Sequence, residues 1–359
     1  MKFGIQQVIQ AHKDHNDTEM FRKEVESIIE SEQMGFDIVW TVEHHFTDYS
    51  ICPDNLQYLS YIAARTKRLL LATGAIIVPW NDPLRMVEKL TMLDHLSDGR
   101  AVMGLGRGLA RREYTGFRQD MSEARERFNE AAEMIVRGCE EGFVEGNGKY
   151  YPQPRVEVRP RPIRGFKGRR FMVCMSPDSF EVAAELGMGA MMFSQFPWES
   201  MVDACNGYKE NFRSKQGEDA PPFVIADFIS IDKDVKKAEE VARDKMTHYL
   251  MHVLDHYEML EKQHFTEAGT SYQHYANAAE QMAEMGKEAM VEGFLAANLW
   301  GDPAMICDKM EKRRELIGDF ETSGCFSYSS IPYDQTRSMM KMFAESAGDL
   351  FHSWERKIS

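Results

Sequence analysis

Residues 96–128, with the sequence LSDGRAVMGLGRGLARREYTGFRQDMSEARERF, join a short apolar run to three closely spaced glycines and a series of arginines. The turn signal SDG at 97–99 precedes the apolar run 101–105, which is typical of a strand buried on both faces. Glycines at alternate positions then let the backbone approach a ligand closely. The stretch therefore predicts a parallel-sheet strand that ends at a ligand site.

Two arginines of this stretch are candidates for binding an anion. Arg107 lies between Gly106 and Gly108, and Arg125 follows Ser122, a predicted N-cap of the next helix. Each guanidinium group can donate two parallel hydrogen bonds, which suits a phosphate monoester. The spacing is not that of the dinucleotide fingerprint, because the third glycine comes one position early. The alternative is an ordinary glycine-rich turn followed by solvated arginines.

Length and composition favour one large domain in a reducing compartment. The 359 residues are 43% hydrophobic, and the net charge of -14 argues against nucleic acid or an anionic membrane as a partner. The six cysteines have neither paired nor framework spacing. The start, KFGIQQV, has no signal-peptide pattern, and no apolar run reaches membrane-spanning length. We therefore expect a cytoplasmic protein.

Strand-like runs alternate with amphipathic helical patterns, which indicates a parallel sheet with crossover helices. Eight runs qualify as strands, at 2–8, 37–42, 69–78, 101–105, 170–175, 190–193, 223–231 and 324–328. We predict an α/β protein with a closed (β/α)8 TIM barrel that forms one domain over 1–359. The segment 245–299 is too long for a plain connection between the last two strands and is predicted to be a lid insertion.

Barrel active sites lie at the C-terminal ends of the strands, so the residues that follow each strand matter most. Glu43, His44, His45 and Phe46 follow the second strand. A carboxylate and two imidazoles at that place could donate or accept a proton near neutral pH, beside an apolar ring. The alternative is that a histidine of this motif is buried and has only a structural role.

The segment after the fifth strand predicts a further anion contact. Ser176, followed by a proline, is a predicted N-cap of a helix whose free N–H groups face the rim. Such a terminus binds phosphate and would add a partner to Arg107 and Arg125. A capping serine needs no ligand, however, and Asp178 would repel an anion. Met175 precedes this cap and is predicted to line an apolar pocket.

A second histidine pattern lies in the insertion. His248, His252 and His256 recur every four residues on one predicted helix face, a spacing that metal sites use. The HExxH motif does not accompany them, so we expect no metal.

Taken together, these motifs resemble the bacterial luciferase-like flavin monooxygenases, and most of all the luciferase alpha subunit. The resemblance extends from the first residue almost to the last. It rests on EHHF at 43–46, LLLATGAIIVP at 69–79, GRAVMGLGRGL at 99–109, Arg125, Ser176 and GDP at 301–303.

The resemblance implies a role for particular residues. The residues that would contact the cofactor FMN are Gly74, Ala75, Gly106, Arg107, Arg125, Met175, Ser176 and Ser179. Within this set the arginines and serines would hold the phosphate, and the peptide between the first two residues would be cis under the flavin ring. The catalytic residues would be His44 as acid or base, with His45 and Glu43 beside it.

The resemblance also implies a reaction. Reduced FMN from a separate flavin reductase would react with O2 to a C4a-(hydro)peroxide, which would oxygenate a small organic substrate. Gly106 replaces a reactive cysteine of the luciferase alpha pattern and would open space for a bulkier substrate. A homodimer through helices near the second and third strands is expected. Two alternatives are an F420-dependent hydride transfer on the same fold and a non-catalytic flavin-binding relative.

Overall fold

The computed structural model describes residues 1–354 and contains a closed barrel of parallel strands. The strands, in chain order, are β1 Phe3–Gln7, β2 Ile38–Thr41, β3 Leu70–Thr73, β4 Ile76–Ile77, β5 Ala101–Gly106, β6 Phe143–Gly146, β7 Gln153–Glu157, β8 Arg170–Val173, β9 Gly189–Phe193, β10 Phe223–Ile231, β11 Leu299–Gly301 and β12 Phe320–Cys325. The barrel order is β1-β2-β3-β5-β8-β9-β10-β12, and β12 pairs with β1 to close it. The predicted TIM barrel is confirmed.

Helices surround the barrel and cover its C-terminal end. They are α1 Asp17–Met34, α2 Asn55–Ala63, α3 Pro83–Leu96, α4 Arg111–Gly116, α5 Ala124–Glu141, α6 Pro177–Glu185, α7 Val202–Gln216, α8 Val235–Val241, α9 Thr247–His256, α10 Lys262–Glu267, α11 Gln273–Met285, α12 Lys287–Ala297, α13 Pro303–Ile317 and α14 Tyr333–Ser353. Over residues 1–354, none of these helices has the length and apolar character needed to cross a membrane.

Of the two predicted helix caps, one agrees with the structure and the other does not. The Ser176 prediction is confirmed, because this residue is the N-cap of α6 and a proline follows it. Ser122 does not cap α5, which begins at Ala124. Instead, the Asp120 side chain accepts a hydrogen bond from the Ser122 amide at 2.8 Å and caps a short 3-10 turn. Asp is as good a capping residue as Ser, so the sequence offered two candidates two residues apart.

The third predicted strand is interrupted where it approaches β5. A Cβ at Gly104 would lie 2.0 Å from the Thr73 carbonyl oxygen, so only glycine permits this approach. The Thr73 hydroxyl donates to the Gly104 carbonyl at 2.9 Å and accepts from the Gly104 amide at 2.8 Å. These two bonds take the place of the backbone hydrogen bonds that would otherwise pair β3 with β5 at this point. The chain then turns through Gly74 and Ala75 before it pairs again as β4.

The last strand begins earlier than predicted, at Phe320 in place of residue 324. Its sequence, FETSGC, contains polar side chains that bond inside the barrel. The Thr322 hydroxyl lies 3.2 Å from Asp227 Oδ2, and the Ser323 hydroxyl donates to Gln6 Oε1 at 2.8 Å. In the sequence, the more apolar segment 324–328 therefore has the stronger strand pattern.

A buried carboxylate lies between α1 and the loop after β12. Glu24 Oε1 accepts hydrogen bonds from the Ser327 hydroxyl at 2.8 Å and the Tyr333 hydroxyl at 3.0 Å, and Oε2 accepts one from Gln7 Nε2 at 2.8 Å. Burial nevertheless raises the pKa of Glu24 to about 7, because the loss of hydration outweighs these bonds.

The substitution Glu24→Gln is expected to increase the free energy of unfolding more at about pH 8 than at about pH 5. The folded-state pKa of about 7 exceeds the ordinary value of 4.5, so the folded protein loses stability as the pH rises through that window. The difference amounts to roughly 3 kcal/mol at most. Urea unfolding at the two pH values measures it. Glu26→Gln, on the exposed side of the same helix, is the control and should show no such difference.

Candidate active site

A cavity of about 430 Å³ lies at the C-terminal ends of the barrel strands. Strand ends and the following loops form its floor, and the insertion forms much of its cover. The apolar side chains that the insertion contributes include Leu250, Val253, Leu254, Met259, Met282 and Phe294. The predicted insertion thus separates this cavity from solvent on one side.

The Glu43 carboxylate lies on the cavity wall, and both of its oxygens accept hydrogen bonds. Oε1 accepts hydrogen bonds from Trp80 Nε1 at 2.9 Å and Asn81 Nδ2 at 3.3 Å, and Oε2 accepts one from the Ile77 amide at 3.2 Å. His45 Nε2 lies 3.4 Å from Oε1. The carboxylate therefore fixes the turn that follows β4, and we interpret Glu43 as a positioning residue.

The two adjacent histidines point in different directions. The His45 ring packs edge-on against Phe117 and Trp80, with centroid distances of 4.6 and 5.8 Å, behind the cavity wall. The His44 ring lines the cavity. Its Nδ1 lies 3.1 Å from Glu113 Oε1, and its Nε2 lies 3.2 Å from the Tyr257 hydroxyl. Of the two histidines, His44 is the one that lines the cavity, and both of its ring nitrogens have partners.

Glu113 is the buried partner of the His44 motif. Its Oε1 also accepts a hydrogen bond from the His45 amide at 2.8 Å and lies 3.5 Å from His256 Nε2. Burial alone would raise the pKa of this carboxyl group, but the neighbouring His44 and His256 rings favour its ionised form and hold the pKa well below its usual range. Glu113 is therefore ionised at neutral pH.

Glu113 and Tyr257 do not stand out in the sequence. Glu113 was hidden among neighbouring arginines in a short helix, and Tyr257 follows α9 without any motif. In the sequence, His256 stands out only because it follows His252 by four residues. In the structure these two histidines contact different residues. His252 Nδ1 lies 2.9 Å from Gln10 Nε2, whereas His256 Nδ1 lies 2.8 Å from the Thr47 hydroxyl. The two histidines of this helix thus make separate contacts with the barrel rim.

His44, Glu113 and His256 also have donor atoms within 4.8 Å of one another, a grouping compact enough for a metal ion. The distances of 3.1 and 3.5 Å from Glu113 Oε1 to the two rings fit direct contacts equally well. Since Oε1 also accepts the His45 amide, we interpret the group as a carboxylate hydrogen-bonded to the His45 amide and to His44, with the His256 ring in contact.

The predicted anion-binding residues converge on the opposite part of the cavity wall. All three side-chain nitrogens of Arg125 are buried and have no hydrogen-bond partner within residues 1–354. Burial lowers the pKa of this guanidinium group, and the charge of Arg107 lowers it further. Arg107 itself donates to the Ser271 carbonyl at 3.2 Å and stacks 4.1 Å from the Tyr272 ring centroid. Two cations side by side, one without acceptors, form a site that an anion would complete.

The cap of α6 contributes to the same wall. Ser179 Oγ accepts hydrogen bonds from the amides of Met175 at 3.2 Å and Ser176 at 3.0 Å, and both serine side chains line the cavity. The structure therefore brings the predicted serines, Met175 and the two arginines to one cavity.

The peptide between Gly74 and Ala75 is cis, as the resemblance implied. Asn55 Nδ2 donates to the Ala75 carbonyl at 3.0 Å and to the Thr41 carbonyl at 3.1 Å. A Cβ at Gly106 would lie 3.1 Å from Ile77 Cδ1 and 3.3 Å from Ala75 Cβ. Gly106 thus accommodates the neighbouring turn. Gly106 also lines the cavity, so its effect on the space for a substrate stays a prediction.

Known proteins share this fold and part of the sequence. The family described as Luciferase-like monooxygenase matches residues 1–319. The alkanal monooxygenase alpha chain of a Kryptophanaron alfredi symbiont is 28% identical over 224 residues, which cover 61% of this chain and 62% of that one. The alkanal monooxygenase alpha chain of Photorhabdus laumondii is 28% identical over 251 residues, 69% of this chain and 70% of that one.

Solved structures with the same fold cover nearly the whole chain. Monooxygenase RslO1 from Streptomyces bottropensis has a TM-score of 0.76 at 24% identity and covers 98% of this chain and 100% of that one. A type II Baeyer-Villiger monooxygenase of Pseudomonas putida, in complex with FMN, has a TM-score of 0.72 at 13% identity, covering 96% and 97%. The F420-dependent tetrahydromethanopterin reductase of Methanopyrus kandleri has a TM-score of 0.69 at 20% identity, covering 98% and 99%.

The family match spans most of the chain and agrees with the rim motifs described above. The chain therefore belongs to the luciferase-like monooxygenase family.

The substitution Arg125→Met is expected to stabilise the ligand-free protein by about 1–3 kcal/mol, because it removes buried N–H groups that lack acceptors. Inorganic phosphate should raise the melting temperature of the wild type, as any ligand of the folded state does, but not that of the variant. Thermal unfolding with and without phosphate measures both effects.

The matched control is Arg127→Met on the same helix. Arg127 donates to Glu123 at 2.8 Å, so its loss should cost stability and leave the phosphate effect intact. An Arg125→Met protein that is less stable than the wild type and still responds to phosphate would contradict the anion site.

Proposed function

We propose that this protein is the oxygenating component of a two-component system. It would take reduced FMN from a separate flavin reductase and use O2 to oxygenate a small organic substrate. The observation that carries the proposal is the unpaired, buried guanidinium group of Arg125 in a cavity that also contains His44.

The residues present fit FMN at its phosphate end. Arg107 and Arg125 would neutralise the phosphate, with Ser176 and Ser179 beside it at the start of α6. The segment 74–75, Gly106 and Met175 line the same cavity and would contact the flavin ring, as in the resembling family. When bound, reduced FMN supplies the electrons that activate O2.

The chain's own residues would protect and direct that chemistry. Apolar side chains of the insertion exclude water from the cavity, which prevents loss of reactive species to solvent. His44 is held at Nδ1 by an ionised carboxylate, and its Nε2 lies 3.2 Å from the Tyr257 hydroxyl, so its ring is fixed in one orientation. His44 would thus hold or move the proton that the oxygenation requires.

Cofactor and compartment are part of the same proposal. F420 is the alternative cofactor, because enzymes with this fold include F420-dependent ones. We favour FMN, since the His44-His45 pair follows the luciferase-like pattern. The six cysteine thiols are free, which is compatible with the cytoplasmic location expected from the sequence.

The test is an anaerobic mixture of the protein with photoreduced FMN, followed by a pulse of O2 while the near-ultraviolet spectrum is recorded. An oxygenating component should delay the return of oxidised FMN relative to free FMN and show a transient absorbance in that interval. His44→Ala should bind FMN with an unchanged dissociation constant and alter the decay of that absorbance.

Other outcomes distinguish the alternatives. Weak binding of reduced FMN together with tight binding of F420 would replace the proposal by hydride transfer. Tight binding of FMN with reoxidation as fast as in free solution would indicate a non-catalytic flavin-binding protein.

We also propose a homodimer formed through α2 and α3. Tyr61 on α2 and Met92 and Leu96 on α3 are each more than half exposed, an unusual density of large apolar side chains on adjacent helices. The expected result is that Leu96→Glu shifts the protein from dimer to monomer in sedimentation measurements. Leu316→Glu, on α13, is the control and should leave the dimer intact. A wild-type monomer would contradict the proposal.

A further inference from the structure

Neither ring nitrogen of His44 is free, and the pairing fixes where its proton lies. Glu113 is ionised, and an ionised carboxylate only accepts hydrogen bonds, so His44 Nδ1 carries a proton. In the neutral ring Nε2 is then an acceptor, and the Tyr257 hydroxyl donates to it at 3.2 Å. Tyr257 also lines the cavity. Since its hydroxyl hydrogen is directed at His44, its oxygen can still accept a proton.

The surroundings of the pair do not offer a competing charge next to His44. Tyr49, from the loop after β2, packs edge-on against His44 with a centroid distance of 4.9 Å. His256, from α9, approaches to 5.0 Å, and burial lowers its pKa, so it is neutral near pH 7. Glu113, from α4, is thus the charged group in contact with His44 among the described residues. An imidazolium formed on His44 would be stabilised by it.

We propose that Glu113, His44 and Tyr257 form a proton relay, and that Tyr257 is the catalytic residue that meets the substrate. The proposal rests on the proposed function and narrows its substrate to a compound with an acidic hydroxyl group, a phenol or an enol, on an apolar body. Such a group can give its proton to the relay, whereas an alkyl chain, thioether or aldehyde carries no comparable proton.

The transfer is balanced. The substrate O–H bond breaks and its proton passes to the Tyr257 oxygen, while the Tyr257 proton passes to His44 Nε2. The products are a substrate oxyanion and an imidazolium beside Glu113, and no electron moves. The oxyanion delocalises its charge to the ring carbons ortho and para to it, or to the α-carbon of an enolate, and makes that carbon the nucleophile that receives one oxygen atom from O2. Overall, substrate, O2 and reduced FMN give hydroxylated substrate, water and oxidised FMN.

The relay also returns the proton. Once His44 is an imidazolium, Nε2 donates to Tyr257, and the tyrosine hydroxyl is free to donate into the cavity. Burial raises the pKa of Tyr257 well above its usual value, so the tyrosine passes protons on and does not remain ionised. The proton removed from the substrate is thus available for the water that forms.

The cavity wall suits such a substrate. Its lining includes Val42, Leu250, Val253 and Leu254 as well as Tyr257, while the charged Arg107 and Arg125 belong to the anion-binding wall. An apolar ring that carries a hydroxyl group would therefore bury its body against the insertion and direct its oxygen towards Tyr257.

The first test measures the contact between Tyr257 and His44 and does not need catalytic turnover. With isotope-labelled histidine, NMR of the protein reports the protonation and hydrogen bonding of each ring nitrogen of His44. The expected result is a proton on Nδ1 and a hydrogen-bonded Nε2 whose resonance moves in Tyr257→Phe but not in Tyr208→Phe. Tyr208 also loses one buried hydroxyl bond, to the Met188 carbonyl at 2.7 Å, at a distance from the rim, so it controls for general packing effects.

The second test uses 7-hydroxycoumarin, at a pH below its own pKa, with the protein loaded with oxidised FMN. The wild type and Tyr208→Phe should bind the probe and show its phenolate absorption band. Tyr257→Phe should bind it with a similar dissociation constant and lose most of that band. The matched ligand 7-methoxycoumarin has no ionisable proton and should bind without such a band.

The outcomes separate this inference from the proposed function. An unchanged His44 resonance in Tyr257→Phe, a firmly bound metal ion on His44, or failure of the wild type to bind or ionise the probe would each overturn the relay. These results would leave the FMN and O2 experiment untouched. Conversely, failure of that experiment with a positive probe result would overturn the monooxygenase proposal and retain Tyr257 as a proton acceptor.

Discussion

The buried carboxylate of Glu113 joins parts of the chain that are far apart in sequence. Its Oε1 accepts the His45 amide at 2.8 Å and lies 3.1 Å from His44 Nδ1 and 3.5 Å from His256 Nε2. An ionised group buried without such partners would cost several kcal/mol, so these contacts are a condition for the fold of the rim. The loop after β2, α4 and the end of α9 are therefore held in the one arrangement that satisfies this charge.

The floor of the cavity depends on the irregular junction of β3 and β5. Because the Thr73 hydroxyl takes both backbone groups of Gly104, the ladder stops and the chain turns through a cis peptide at 74–75. The Ile77 amide then bonds to Glu43 at 3.2 Å. A glycine at 106 leaves room for that turn. The glycines of the opening motif and the carboxylate of the EHHF motif thus act together, which explains why both motifs occur in one chain.

Local patterns were sufficient to predict the barrel, the α6 cap and the cavity-lining arginines, because each depends on periodicity or on residue chemistry at one place. The direction of the two adjacent histidines was not predictable, since it follows from packing of His45 against Phe117. Glu113 and Tyr257 acquire their roles only when α4 and α9 meet the rim. The polar strand β12 was misplaced because its Thr322 and Ser323 find partners across the barrel, which no local pattern reveals.

The insertion contacts both the anion-binding wall of the cavity and the part that contains His44. At one part, the Ser271 carbonyl accepts from Arg107 at 3.2 Å and Tyr272 stacks on the same guanidinium group. At the other, Tyr257 contacts His44 at 3.2 Å. An anion at Arg107 would compete with the Ser271 carbonyl and so alter the contacts of the segment that also carries Tyr257. The insertion therefore contributes contacts both to the anion-binding wall and to the His44 pair.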